Sequence, residues 1–215
     1  MAARAPRRRG ADDRGGRRAR CQGKGRTAST SNERLEKLRT AGGVAGPSLF
    51  VASWIVAGLI RQGYSPVDDP ISRLAELGAE NRWIVTSGMI SFGVGCVLFA
   101  PQLSPRARTA LTVAGLASWG VAAFPCTEGC GGSEFTDRAH GVAAGILYLA
   151  LTLAPVLHSR RPSSVFTSVV AGIALTMHVA GIGPGGMLQR IGLTTNDAWI
   201  VATALGSRRL SRRAR

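Results

Sequence analysis

Beyond Thr40 the chain alternates between long apolar runs and short polar links. The runs cover residues 45–60, 83–100, 109–124, 141–157, 165–181 and, more weakly, 188–206. The first five contain no Asp, Glu, Lys or Arg, whereas a helix with one wet face carries charge every third or fourth position. Runs of this length suit helices that cross a hydrocarbon core of ~30 Å. Buried helices of a soluble protein explain one such run, not five in succession. The pattern therefore predicts an all-α fold, an integral membrane bundle of six helices.

Charge sets the expected orientation. The net formal charge is +15, and residues 1–40 alone hold 13 Lys and Arg against 4 Asp and Glu. The links at 101–108 and 158–164 carry Arg106, Arg108, Arg160 and Arg161 without an acid, and five Arg follow Gly206. The links between them, 61–82 and 126–140, mix arginine with carboxylates. Basic links lie on the cytoplasmic side, so a multi-pass protein of the cell membrane is expected, with both termini cytoplasmic. Three regions follow: a disordered basic tail at 1–40, a six-span domain at 41–207 and a short basic tail at 208–215. The first tail lacks an apolar period and reads as disordered. Its arginines abut a span, which favours an anchor on anionic lipid over a nucleic-acid arm. It is neither a cleaved signal nor a twin-arginine signal.

Small residues recur at helical spacing inside the runs: Ser87, Ser91 and Gly95; Ser168, Gly172 and Thr176; and the Gly141–Gly145 pair. In lipid such stripes let helix backbones approach closely.

With this orientation the chemically distinctive residues gather on the outer side. The first outer link contains Gly63-Tyr64-Ser65-Pro66, Asp68-Asp69-Pro70 and then Ile71 to Gly78. Asp69 or Pro70 can open a short interfacial helix with Ile71, Leu74, Ala75 and Leu77 on one face and Ser72, Arg73 and Glu76 turned away. The second link holds Phe124-Pro125-Cys126-Thr127-Glu128-Gly129-Cys130 and leads to His140. Cys126 and Cys130 lie where disulfides persist, and a local bridge is expected. A metal site of Cys126, Cys130 and His140 lacks a fourth ligand and the paired spacing of zinc ribbons, so no metal is expected. Cys21 and Cys96 read as unpaired thiols. His178 lies near the outer end of the fifth run, while His158 sits at the other end beside Arg160. In the last run Arg190, Thr194 and Asp197 fall at i, i+4 and i+7, on one stripe. Charge at that depth pairs with another helix or lines a ligand or ion site; a shorter span would instead make Asp197 an interfacial helix cap.

The order Gly63-Tyr64-Ser65-Pro66 with Ile71-Ser72 and Leu74, then Phe124-Pro125 with the cysteine loop and His140, then Gly186 with Gln189-Arg190, resembles the domain-of-unknown-function 998 family of bacterial and archaeal membrane proteins. The likeness covers roughly residues 41 to 205. It implies a multi-span bundle and no established activity. Many relatives carry an Asp soon after the Phe-Pro pair; here Cys126-Thr127-Glu128 stands there, as in a cysteine-bearing subgroup, so an acidic role would fall to Glu128.

No catalytic fingerprint, Walker loop or dinucleotide motif occurs, and no cofactor is expected. The reading that demands least is a non-catalytic membrane protein. It would bind a membrane lipid, a small molecule or an envelope partner through a polar cavity facing the outside, with Tyr64, Ser72, His140, Gln189, Arg190 and Asp197 as ligand-binding candidates. A second reading is an outer-leaflet hydrolase or transferase, with Asp68, Asp69, Ser72, His140 and His178 as catalytic candidates and Arg190 on an anionic headgroup. A third is a small transporter using Asp197 and Arg190.

Overall fold

The computed structural model describes the backbone of residues 14–213 and the side chains of residues 32–207. Among the described residues the regular structure is entirely helical. The six α-helices are α1 (Arg14–Ile60), α2 (Arg82–Phe99), α3 (Pro105–Ala123), α4 (Phe135–His158), α5 (Pro162–Val179) and α6 (Gly185–Arg213). Three short 3-10 turns, Ile71–Ala75, Ala100–Gln102 and Glu128–Cys130, lie in the links. The chain divides into two compact units, Met1–Lys37 and Leu38–Arg215. Composition reads residues 1–40 as disordered, yet the backbone of residues 14–40 belongs to α1. No proline interrupts it before Pro47, and Arg, Ala, Lys, Leu and Glu, all good helix formers, supply much of it. Residues 1–13 lie outside the described residues. The tail after Gly206 prolongs α6 to Arg213.

Four helical stretches are long and apolar enough to cross a membrane: Asn32–Ile60, Arg82–Gln102, Phe135–His158 and Pro162–Val179. The other two helices coincide with predicted runs but are less apolar. α3 opens with Arg106 and Arg108 and is rich in Ala and Gly; α6 carries Gln189, Arg190, Asn196 and Asp197. Large apolar side chains point away from the bundle on α4 and α5, with Leu149 62% and Phe166 64% exposed. An outward apolar surface of this kind belongs against hydrocarbon rather than water.

Within the larger unit, helices consecutive from α2 to α6 pack against each other, and α4 also meets α6. Phe99, Leu111, Leu151, Ile200 and Val85 form the fully buried centre. Small residues decide the closest approaches. A Cβ on Gly46 of α1 would sit 2.9 Å from the Gly95 Cα of α2, and one on Gly95 would sit 2.5 Å from the Gly42 carbonyl oxygen. Gly93 and Gly115 make a similar crossing of α2 with α3. Ser168 and Gly172 face α4, where the Ser168 hydroxyl accepts from the Val156 amide at 3.3 Å and Gly172 meets Thr152. The Gly141–Gly145 pair does not pack: both residues are exposed, with open space where a Cβ would stand.

Gly95→Leu is expected to wedge α1 from α2 and to lower stability by about 1–3 kcal/mol, the usual scale of overpacking. Gly141→Leu should leave it unchanged. Denaturation in mixed micelles, followed by tryptophan fluorescence, separates the two; equal effects would refute this packing account.

Candidate functional site

The 61–81 link, the 124–134 link and the start of α6 come together at one end of the bundle, called here the lid end. The first link turns at Gly63, which takes the left-handed φ of 70°, and the 3-10 turn after Pro70 drives Ile71, Leu74 and Ala75 into the core. That much follows the amphipathic pattern. Leu77, expected on the buried face, is 43% exposed, while Glu76, expected to turn away, is 3% exposed. The reason is electrostatic. The Glu76 carboxylate pairs with Arg61 at 2.5 Å and accepts the Gly129 amide at 2.9 Å, so it is drawn in between the two links. The Leu77 amide then donates to the Cys126 carbonyl at 2.8 Å.

The second link is tied down locally. Cys126 and Cys130 stand at disulfide distance, with Cα atoms 4.9 Å apart. Asp137, in the first turn of α4, accepts the Thr127 amide and hydroxyl, each at 2.8 Å.

The start of α6 clamps the first link. The Gly186 and Met187 amides donate to the Asp68 and Val67 carbonyls at 3.1 and 2.8 Å. The Gln189 Oε1 accepts the Ile71 amide at 2.6 Å, and its Nε2 donates to the Tyr148 hydroxyl at 2.6 Å. Arg190 Nη1 donates to the carbonyls of Pro66, Asp69 and Gly186 at 2.7, 3.0 and 2.9 Å. Its Nη2 donates to the Tyr64 hydroxyl, and the guanidinium lies 5.2 Å from the Trp54 ring centroid and 5.5 Å from that of Tyr64. A Cβ on Gly186 would collide with the Asp69 carbonyl oxygen and crowd Arg190, so only glycine permits this approach.

Asp69 and Arg73 brace the link from within. Asp69 accepts from the Ser65 amide at 2.8 Å and from Arg73 at 2.5 Å. Partial burial pushes its carboxyl up, but the Ser65 amide and the Arg73 and Arg61 cations outweigh this and hold it below the ordinary 3.8. The bond to Asp69 raises Arg73 in turn. Burial raises Tyr64 despite the opposing Arg190 cation.

Beneath the lid lies a chamber of about 30 Å³, whose polar lining is Ser72, Ser118, His140, Tyr148 and Gln189. It is a water-sized space. His140 Nδ1 lies 2.8 Å from the Phe124 carbonyl oxygen, which can only accept, so Nδ1 carries a proton. Ser118 donates to the Met89 carbonyl at 2.8 Å.

A far larger space, about 1470 Å³, runs along α6 beside α5, from Arg190 and Ile191 to Gly206 and Ser207. Along α6 this is about 26 Å at ~1.5 Å per residue, close to the ~30 Å of a hydrocarbon core. The Thr167, Thr195 and Ser207 hydroxyls along it donate to the carbonyls four residues earlier, at 3.0, 2.7 and 3.0 Å. With those hydroxyls satisfied by their own helix, the walls present mainly apolar surface. Trp199 reaches in from α6, its indole nitrogen donating to Ser164 at 3.2 Å and its ring set edge-on to His158.

The family described as "Protein of unknown function (DUF998)" matches residues 44–206. The chain belongs to this family. Neither a characterised protein nor a solved structure matches it. Clamp and chamber lie wholly inside the matched DUF998 region, as does the groove except for Ser207.

The DUF998 chain brings the sequence candidates together only in part. Ser72, His140 and Gln189 share the chamber, joined by Tyr148 and Ser118. Tyr64 and Arg190 form the clamp. Asp68 and Asp69 do not reach His140's chamber: Asp68 accepts the Ser65 hydroxyl at 2.7 Å and Asp69 serves Ser65 and Arg73. His178 sits against the Tyr148 ring, centroids 6.1 Å apart, with Nδ1 buried and unpartnered. Glu128 is exposed. The Arg190–Thr194–Asp197 stripe divides. Thr194 faces the groove, while Asp197 is 3% exposed in the core and both its carboxyl oxygens lack a hydrogen-bond partner. The stripe straddles the edge of the buried face, so one turn of helix separates a groove residue from a core one. Asp197 also lies inside α6, not at a helix cap. Arg61, Asp137 and Tyr148 were given no site role from the sequence, and Glu76 was placed on the wrong face. Asp137 alone had a signal, an acid in the first turn of an apolar helix.

Gly186→Val should lift the Val67–Ile71 backbone and speed proteolysis of the first link about tenfold; an unchanged rate would show that the clamp does not need this glycine. The lowered Asp69 carboxyl fixes a sign for pH. Its contribution is full above about pH 4 and is lost as pH falls through the lowered value. Peptic cleavage of the first link should therefore rise steeply below pH 4. In Asp69→Asn that step should vanish, with weaker protection throughout.

Proposed function

We propose that this protein is a six-span protein of the cell membrane, with both termini cytoplasmic, that holds a membrane lipid in the α5–α6 groove. The observation that carries the reading is the groove itself. Its volume exceeds the roughly 300–1,000 Å³ of ordinary ligand pockets, its length matches a hydrocarbon core, and the Thr167, Thr195 and Ser207 hydroxyls along its wall are already bonded to helix carbonyls. An alkyl chain asks for nothing more. The orientation rests on the arginine bias of the links, which assigns the lid end to the outside.

This shifts the ligand space from where the sequence candidates pointed. The lid-covered chamber has the polar residues but only water-sized room, whereas the groove has the room and a largely apolar wall. One observation favours a second reading, an outer-leaflet hydrolase: Ser72 and His140 line the same chamber. It lacks an acid to orient the imidazole, because Asp68 and Asp69 are committed within the lid, and it leaves no space for a substrate. Binding is the better supported function.

Ala198→Trp, at an exposed position on the groove wall, should cut the lipid that stays with the detergent-purified protein at least severalfold, with thermal stability unchanged. Lipid mass spectrometry per mole of protein measures this. Undiminished lipid in a well-folded variant would overturn the reading.

A further inference from the structure

The two ends of the groove differ in what they offer a headgroup. At the lid end Arg190 is already spent. Its terminal nitrogens donate to three carbonyls and to Tyr64, and its positive face lies over two aromatic rings. At the opposite end Arg161 lines the groove and is exposed. Among the described residues no carboxylate pairs with it. Ser159 and Ser163 stand beside it on the same lining, and the 158–164 link contains no acid at all. His158, which also lines this mouth, is occupied, its Nδ1 accepting the Ser104 amide at 3.3 Å.

We infer that the groove selects an anionic phospholipid, with the phosphate at Arg161 and Ser163 and an acyl chain running along α6 past Trp199. The inference rests on the groove reading above and adds the headgroup class and the end at which it sits. Charge complementarity carries it: an unpaired guanidinium at the mouth of an apolar channel favours a ligand with one anionic end and a hydrocarbon remainder. A zwitterionic lipid fits the same channel but brings its own cation to the mouth and gains less there.

Trp199 lies on the groove wall and supplies the reporter. The full chain, with Trp54, Trp83 and Trp119 replaced by Phe, is reconstituted into vesicles of phosphatidylglycerol and phosphatidylcholine in which one or the other lipid carries mid-chain bromines. Because Trp54 and Trp119 make contacts of their own, lipid retention by the otherwise native protein, measured by mass spectrometry, runs in parallel. Quenching of Trp199 should favour brominated phosphatidylglycerol by about fivefold, the scale of one arginine facing an anionic headgroup. Arg161→Gln should bring the ratio near one, while Arg160→Gln, which removes a neighbouring charge outside the groove lining, should preserve it.

Equal quenching by both lipids would sink the headgroup assignment and leave the groove reading standing. Quenching by neither would sink both, as would a dimer whose second copy fills the groove. Equal losses in the Arg160 and Arg161 variants would mean diffuse attraction to an anionic surface, and the site would be rejected.

Discussion

The lid end depends on one arrangement: the first turn of α6 satisfies the backbone of the irregular stretch that precedes the Ile71–Ala75 turn. Non-helical backbone at a membrane boundary keeps its carbonyls and amides only if something pairs with them. Here the unpaired amides of a helix start meet the Val67 and Asp68 carbonyls, and the side chains of Gln189 and Arg190 reach Ile71, Pro66 and Asp69. A guanidinium suits the task because its fork gives several donors in fixed directions. Its charge is eased by the faces of Trp54 and Tyr64 rather than by a carboxylate. Gly186 completes the fit by removing the one Cβ that would hold loop and helix apart.

That arrangement explains why α6 is less apolar than its neighbours and why its polar residues serve different sides. Gln189 and Arg190 face the lid, Asn196 and Asp197 the core, and Thr194 and Thr195 the groove. Thr195 and Ser207 bond back onto their own helix, so much of the polarity along the groove is silent toward a guest. A mean hydropathy counts all three groups alike. Position around the helix separates them: one anchors, one is buried and one leaves a channel.

Five of the six helices were legible because they rest on run length and on the absence of charge, properties local to each segment; the sixth, with Arg190 and Asp197, rested on length alone. Ile71, Leu74 and Ala75 were legible for the same reason, since their spacing alone puts them on one face. Glu76 was not. Its burial depends on Arg61, fifteen residues earlier, and on a Gly129 amide in another link, and no local pattern encodes either. Gly141 and Gly145 show the converse error. A spacing that permits close packing does not say that a helix stands there, and none does among the described residues. The candidates on the outer links were gathered by side of the membrane, which brought Ser72, His140 and Gln189 into one chamber but could not show that Asp68 and Asp69 turn back into their own loop. Tyr148, within an apolar run, gave no sign that it would hold Gln189.

Chamber and groove differ most in what must move before they can be used. Reaching the chamber through the lid means parting the six hydrogen bonds by which Gly186, Met187, Gln189 and Arg190 hold Tyr64 and the 66–71 backbone. At a net ~1 kcal/mol each, opening costs about 6 kcal/mol, so fewer than about one molecule in ten thousand stands open at rest. Catalysis there would be gated by a rare state, and a substrate would have to repay the lost bonds with contacts that a water-sized chamber does not offer. The groove asks for no such opening. It lies along α6 beside α5, the Thr167, Thr195 and Ser207 hydroxyls on its wall are already satisfied, and in the proposed lipid-binding role a guest would displace only other lipid. Under that energetic difference the clamp acts as a fixed wall that ends the groove at Arg190, and among the described residues the exposed cation on its lining is Arg161 at the far mouth.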